Sequence, residues 1–165
     1  MKNRDLLVSI LLHALLLMGA YVLQGMILPY VRLNGLVPLL LPVVGTGVAI
    51  YEGRYVGGVF GIFAGVFCDV SFNDPAAIFT VLLALTGLLI GALADTIITR
   101  GFVTYFISCV FVLSVAAAVR VVPLFGAGVP FSPLLSVAIW QTVYSLVFAI
   151  PVWFFVRALG KRVGS

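Results

Sequence analysis

Charge is what this chain lacks most. Only 8% of its 165 residues are charged and 64% are hydrophobic, against the roughly 25% charged residues of soluble domains. That balance excludes a separate water-exposed domain and describes an all-α integral membrane protein. Acids number five and bases nine, for a net charge of +4. The bases stand singly at the ends of apolar runs, which makes them topology signals and argues against a nucleic-acid surface.

Groups that carry chemistry are also scarce. One His and two Cys cannot build a metal cluster. Cys68 and Cys109 form no CxxC pair and fall on different spans at different depths, so buried thiols are expected rather than a disulfide. Ser9, Ser71, Ser108, Ser114, Ser136 and Ser145 are scattered without a GxS context, no HExxH occurs, and no glycine run ends in GK[ST]. Neither an enzyme nor a cofactor is expected.

What the chain has is long apolar runs. Bounded by Pro, Gly or charge, they give six spans, at about 6–28, 36–50, 55–71, 76–98, 102–122 and 132–156, in one membrane domain. The first is too long for a signal-peptide core and no small-residue cleavage site follows it, so it is read as uncleaved. The second is short and carries Pro38, Pro42, Gly45 and Gly47, which predicts a kinked, tilted or re-entrant segment shielded by other helices. With six spans and both termini cytoplasmic, Lys2, Arg4, Arg54, Arg100, Arg157, Lys161 and Arg162 lie inside, against Arg32 and Arg120 outside. Seven against two is the asymmetry that sets topology. Tyr21, Tyr30, Tyr51, Tyr55, Tyr105 and Trp153 fall near predicted ends, where amphipathic rings favour the interface. The apolar link from Pro123 to Phe131 is expected on the membrane surface or under a partner.

Gly57, Gly61, Gly65 and Asp69 recur every four positions, so one helix face is bare backbone ending in a carboxylate. Small residues at this spacing let helices approach closely in a membrane. The device returns one span later at Gly87, Gly91 and Asp95, although no repeat of about 20–50 residues is convincing. These glycines are candidates for helix packing within the chain, or for an interface with a partner helix or a second copy.

The polar candidates are few. Asp69, about 21 Å up its span at helical rise, reaches a height similar to Arg120, and the two either pair or snorkel separately to the headgroups. Asp95 reads as an end marker of its span, and Glu52 as part of a tight turn with Gly53 and Arg54 or a docking point for an internal partner. His13, about 10 Å into its span, reads as a structural hydrogen-bonding group or a proton relay. Gln24 and Gln141 read as interhelical hydrogen-bonding groups.

The run from Pro38 to Asp95 resembles the MreD family, small membrane subunits of the bacterial cell-elongation machinery. The matching residues are Pro38 before a short apolar span, Glu52 and Gly53 at the turn, the ladder GGVFGIFAGVFCD from Gly57 to Asp69, and Gly87 and Gly91 after a short turn. The segment DPAAIF, Asp74 to Phe79, departs from the family's glycine and polar residue there, although Pro75 is suited to a helix's first turn. The resemblance implies a non-catalytic scaffold of the bacterial inner membrane. It would bind MreC, a bitopic partner, and help join it to the RodA polymerase and its class B penicillin-binding partner, among membrane lipids and with MreB filaments inside the cell.

The chain also looks like the S components of energy-coupling-factor vitamin transporters, whose fold the MreD family is thought to share, so an S-component-like bundle is expected under either reading. An S component needs convergent polar or aromatic groups around an outer cavity. This chain offers Asn34, Asn73, Asp74, Arg120, Trp140 and Gln141, and Ala14 has no small partner at Ile10 or Met18.

Overall fold

The computed structural model describes residues 3–30, 37–72, 76–96, 101–128 and 130–163. Lys2, Arg32, Asn34, Asn73, Asp74, Pro75, Thr99 and Arg100, with the side chains of Arg4, Lys161 and Arg162, lie outside that description. Among the described residues every regular element is helical: α1 (Asn3–Val22), α2 (Leu40–Glu52), α3 (Arg54–Phe72), α4 (Ile78–Thr96), α5 (Phe102–Gly126) and α6 (Phe131–Val163). A π turn (Leu23–Ile27) and a 3-10 turn (Leu28–Tyr30) continue α1. Five helical stretches, Leu7–Tyr30, Arg54–Phe72, Ile78–Thr96, Phe102–Val122 and Phe131–Leu159, are long and apolar enough to cross a membrane. The chain is therefore a multi-pass membrane protein.

The exception is α2, whose 13 residues span about 20 Å, less than the roughly 30 Å hydrocarbon core. It forms the centre of the bundle. Every residue from Leu40 to Ile50 is buried, and α2 packs against each of the other five α-helices. A helix start buried this deeply has donors that no water can satisfy. Pro38 and Pro42 have no N–H to lose. The Gln24 side-chain oxygen accepts from the Leu40 and Leu41 amides at 2.9 and 3.2 Å, and the Ser145 hydroxyl accepts from Leu39 at 2.9 Å. The prolines that marked the segment as irregular thus reduce the polar burden of burying its start.

Contacts at the helix ends fix the topology. Ser9 of α1 meets Glu52 of α2, the α3 start meets Asp95, and Phe102 meets Trp153, all at one end of the bundle. At the other end Gln24 meets the α2 start, Asp69 meets the α4 start, and Arg120 meets Gln141. Successive helices therefore alternate in direction, and the two ends of the described chain share one face.

The tightest packing joins α3 to α4. A Cβ built on Gly61 would meet the Leu83 carbonyl, one on Gly65 the Thr80 and Phe79 backbone, and one on Gly87 the Gly57 carbonyl; on Gly91 it would lie 2.5 Å from Arg54 Cα. A Cβ on Gly57 would lie 2.6 Å from Ala49 Cβ of α2 and 3.0 Å from the Gly87 carbonyl oxygen. Backbone cannot yield as a side-chain tip can, so this approach admits only glycine.

The motif recurrence that fell short of a repeat in the sequence has a structural meaning. Shifting numbers by 26 takes Gly61, Gly65 and Asp69 onto Gly87, Gly91 and Asp95, and their contacts follow. Gly61 on Leu83 becomes Gly87 on Gly57, and Gly65 on Phe79 and Thr80 becomes Gly91 on Gly53 and Arg54. The hairpin is a local inverted pair, each helix presenting the same face to the other.

Two further expectations are corrected. Tyr105 is fully buried, donating its hydroxyl to the Val43 carbonyl at 3.3 Å; one apolar helix end can place a ring either inward or at the interface. The link after α5 is shorter than expected, because α5 continues through Pro123 to Gly126 and α6 starts at Phe131. A proline near a helix end removes one backbone bond without ending the helix.

Candidate functional site

The charged side chains Glu52, Arg54 and Asp95 stand at one end of the bundle, and Asp69 and Arg120 at the other. On the face shared by the chain ends, His13 is fully buried and its Nδ1 lies 2.9 Å from the Ser9 carbonyl. A carbonyl only accepts, so Nδ1 carries a hydrogen and donates to it. The Ser9 hydroxyl donates to Glu52 Oε1 at 2.5 Å, and the same oxygen lies 3.6 Å from His13 Nδ1. His13 Nε2 has no hydrogen-bond partner among the described residues, and the ring meets Phe60 edge-on at 6.3 Å. A serine relay needs the hydroxyl on one imidazole nitrogen and the carboxylate on the other. Here both lie on the Nδ1 side, so the trio ties α1 to the end of α2 without activating Ser9.

The neighbouring turn explains Asp95. Gly53 ends α2 with φ +85°, a conformation that disfavours side chains, and a Cβ there would lie 2.8 Å from Asp95 Oδ1. The Asp95 carboxylate accepts from the Arg54 amide at 3.1 Å, closing the start of α3.

Asp69 does the same at the opposite end, from inside the bundle. Its oxygens accept from the Phe79 amide at 3.0 Å, the Thr80 amide at 2.9 Å and the Thr80 hydroxyl at 2.5 Å. The position before α4 is Ala77, whose side chain cannot cap; the carboxylate of the preceding helix replaces it. Asp69 therefore does not pair with Arg120, nor does it snorkel, since it is 7% exposed.

Arg120 has other neighbours. One guanidinium nitrogen donates to the Gln141 side-chain oxygen at 3.1 Å, and the group lies 4.3 Å from the centre of the Phe72 ring. Gln141 in turn donates to the Val37 carbonyl at 3.0 Å. Arg120 makes no ion pair among the described residues, and it borders a cavity of about 210 Å³ whose other walls include Phe72, Leu134 and Val137. Of the predicted outer ligand groups, Arg120 and Gln141 converge, Trp140 is exposed, and Asn34, Asn73 and Asp74 are outside the described residues.

Ser9 and Ser145, which read in the sequence as scattered serines, and Thr80, which carries no motif, all make contacts between helices. Ser9 lies four residues before His13 and Ser145 four after Gln141, so each shares a helix face with a polar residue already singled out. That spacing was the available signal. The five ladder glycines pack against α2, α3 and α4 of the same chain. Cys68 and Cys109 are buried free thiols. Comparison with protein-family models, with curated proteins and with solved structures finds no match.

Proposed function

We propose that the chain is a non-catalytic membrane scaffold of the bacterial cell-elongation machinery, an MreD-like subunit that holds a bitopic MreC-like partner beside RodA and its class B penicillin-binding partner. The observation that carries this reading is where the buried polar groups point. Asp69, Gln24, Ser145 and Tyr105 each close a backbone group of a neighbouring helix. The outer faces of α1, α5 and α6 are apolar, with Leu11, Leu15, Phe111 and Phe154 all exposed, as suits a body that works through contact in lipid.

The finer topology belongs to the same proposal. Six spans are counted with α2 as a short central one, both termini are cytoplasmic as the distribution of Lys and Arg requires, and the membrane is the bacterial inner membrane. The partner docks away from the α3–α4 seam.

Arg120 favours a second reading, a vitamin-binding S component, because one cation and one amide border an outer cavity. Arg120 and Gln141 are the polar side chains among that cavity's described lining residues, fewer than the several convergent polar groups that an S component needs. Depletion of the protein in its own cells separates the two. Rounded cells with normal vitamin uptake are expected; rod-shaped cells that cannot import a vitamin would overturn the scaffold reading.

A further inference from the structure

Arg120 is a half-buried cation with one hydrogen-bond acceptor among the described residues, Gln141, and no acid. A guanidinium has five N–H donors, and in a membrane segment an uncompensated cation is costly. Phe72 covers one face of the group, Gln141 holds one of its nitrogens, and Arg120 lines the cavity.

The cavity does not stand alone. It shares Ala117, Val121 and Ala138 with an apolar groove of about 540 Å³ between α5 and α6. That groove follows α5 from Val121 back to Val110, about 16 Å at helical rise. Small side chains, Ser114, Ala117, Ala118 and Ala138, keep it open. Thr142, one of its two hydroxyl residues, donates to the Ala138 carbonyl at 2.9 Å, so its polarity is satisfied within the helix.

We propose that this is a binding site for one anionic phospholipid, the phosphodiester on Arg120 and an acyl chain in the α5–α6 groove, in the leaflet opposite the chain ends. Charge and shape agree on that occupant. A phosphate oxygen supplies the charged acceptor that the guanidinium lacks among the described residues, in the charge-assisted form that arginine favours. The groove accepts a hydrocarbon chain and offers a water-soluble anion nothing. The site is independent of which partner the protein binds.

The test uses purified full-length protein exchanged into dioleoylphosphatidylglycerol or dioleoylphosphatidylcholine nanodiscs, with retained lipid counted by native mass spectrometry after release into detergent. The wild type is expected to keep one phosphatidylglycerol about tenfold more often than phosphatidylcholine, a modest free-energy preference. Arg120→Gln removes the preference. Ala118→Phe, at an exposed groove position, lowers retention of both lipids with Arg120 intact, and decides the matter even where Arg120→Gln does not fold. Undiminished phosphatidylglycerol retention in either folded variant overturns the proposal. So does inorganic phosphate that raises the melting temperature in phosphatidylcholine discs as much as phosphatidylglycerol does, since Arg120 would then serve a soluble anion.

Discussion

Asp69→Ala removes three hydrogen bonds at once and leaves the Phe79 and Thr80 amides at the start of α4 without their acceptor. Hydrogen bonds to a charged group contribute about 1.5–3 kcal/mol each, but they are not additive, and capping substitutions cost up to about 2 kcal/mol. The site is buried, and only limited water can replace the carboxylate. A loss of about 3 kcal/mol follows, or about 6–12 °C in melting temperature for a chain of this size. Asp95→Ala is the internal control, because Asp95 stands at the equivalent position of the hairpin and also caps a helix, yet it is exposed. Water takes over much of its role, and its cost stays below about 1 kcal/mol. In a Cys68→Ala background, thermal unfolding in detergent is followed by reaction of a fluorogenic maleimide with Cys109, which is fully buried on α5. Asp69→Asn, with one acceptor oxygen retained, is expected between wild type and alanine. Equal, small shifts for Asp69→Ala and Asp95→Ala would refute the capping account.

Other substitutions probe the same packing. Gly61→Ala places a methyl against the Leu83 carbonyl and is expected to cost at least about 1–3 kcal/mol of overpacking, read as loss of monodisperse protein. Gly19→Ala, with nothing within 4 Å of the added carbon, leaves the melting temperature unchanged. Gln24→Leu strands the Leu40 and Leu41 amides and lowers stability by about 2 kcal/mol in the same melting assay. Hydrogen exchange in nanodiscs should be slowest in α2, where Leu41, Val43, Val44, Val48 and Ile50 are wholly buried; early exchange there would contradict its central place.

The apolar helices were legible in the residues, because their length answers to the thickness of the bilayer. The shielding of α2 could be anticipated from its shortness and its prolines. The polar groups were harder to read. A ladder such as Gly57, Gly61 and Gly65 shows that a helix must come close, but not whether that helix is in the same chain. Asp69 caps amides ten and eleven residues away across a turn, a relation no local motif records. Its height suggested Arg120 as a partner, whereas the nearest unmet need was the start of α4. Tyr105 shows the same limit, since an aromatic near a helix end suits the interface or a buried carbonyl equally, and only the neighbouring Val43 decides.

The central claim is that the protein works by holding partners in the membrane. Purification of the tagged protein from its own cells in mild detergent, with mass spectrometry of the co-purifying proteins and small molecules, tests it most directly. The account predicts a bitopic coiled-coil protein together with elongation enzymes. A pair of transporter ATPases with a bound vitamin-like molecule would contradict it.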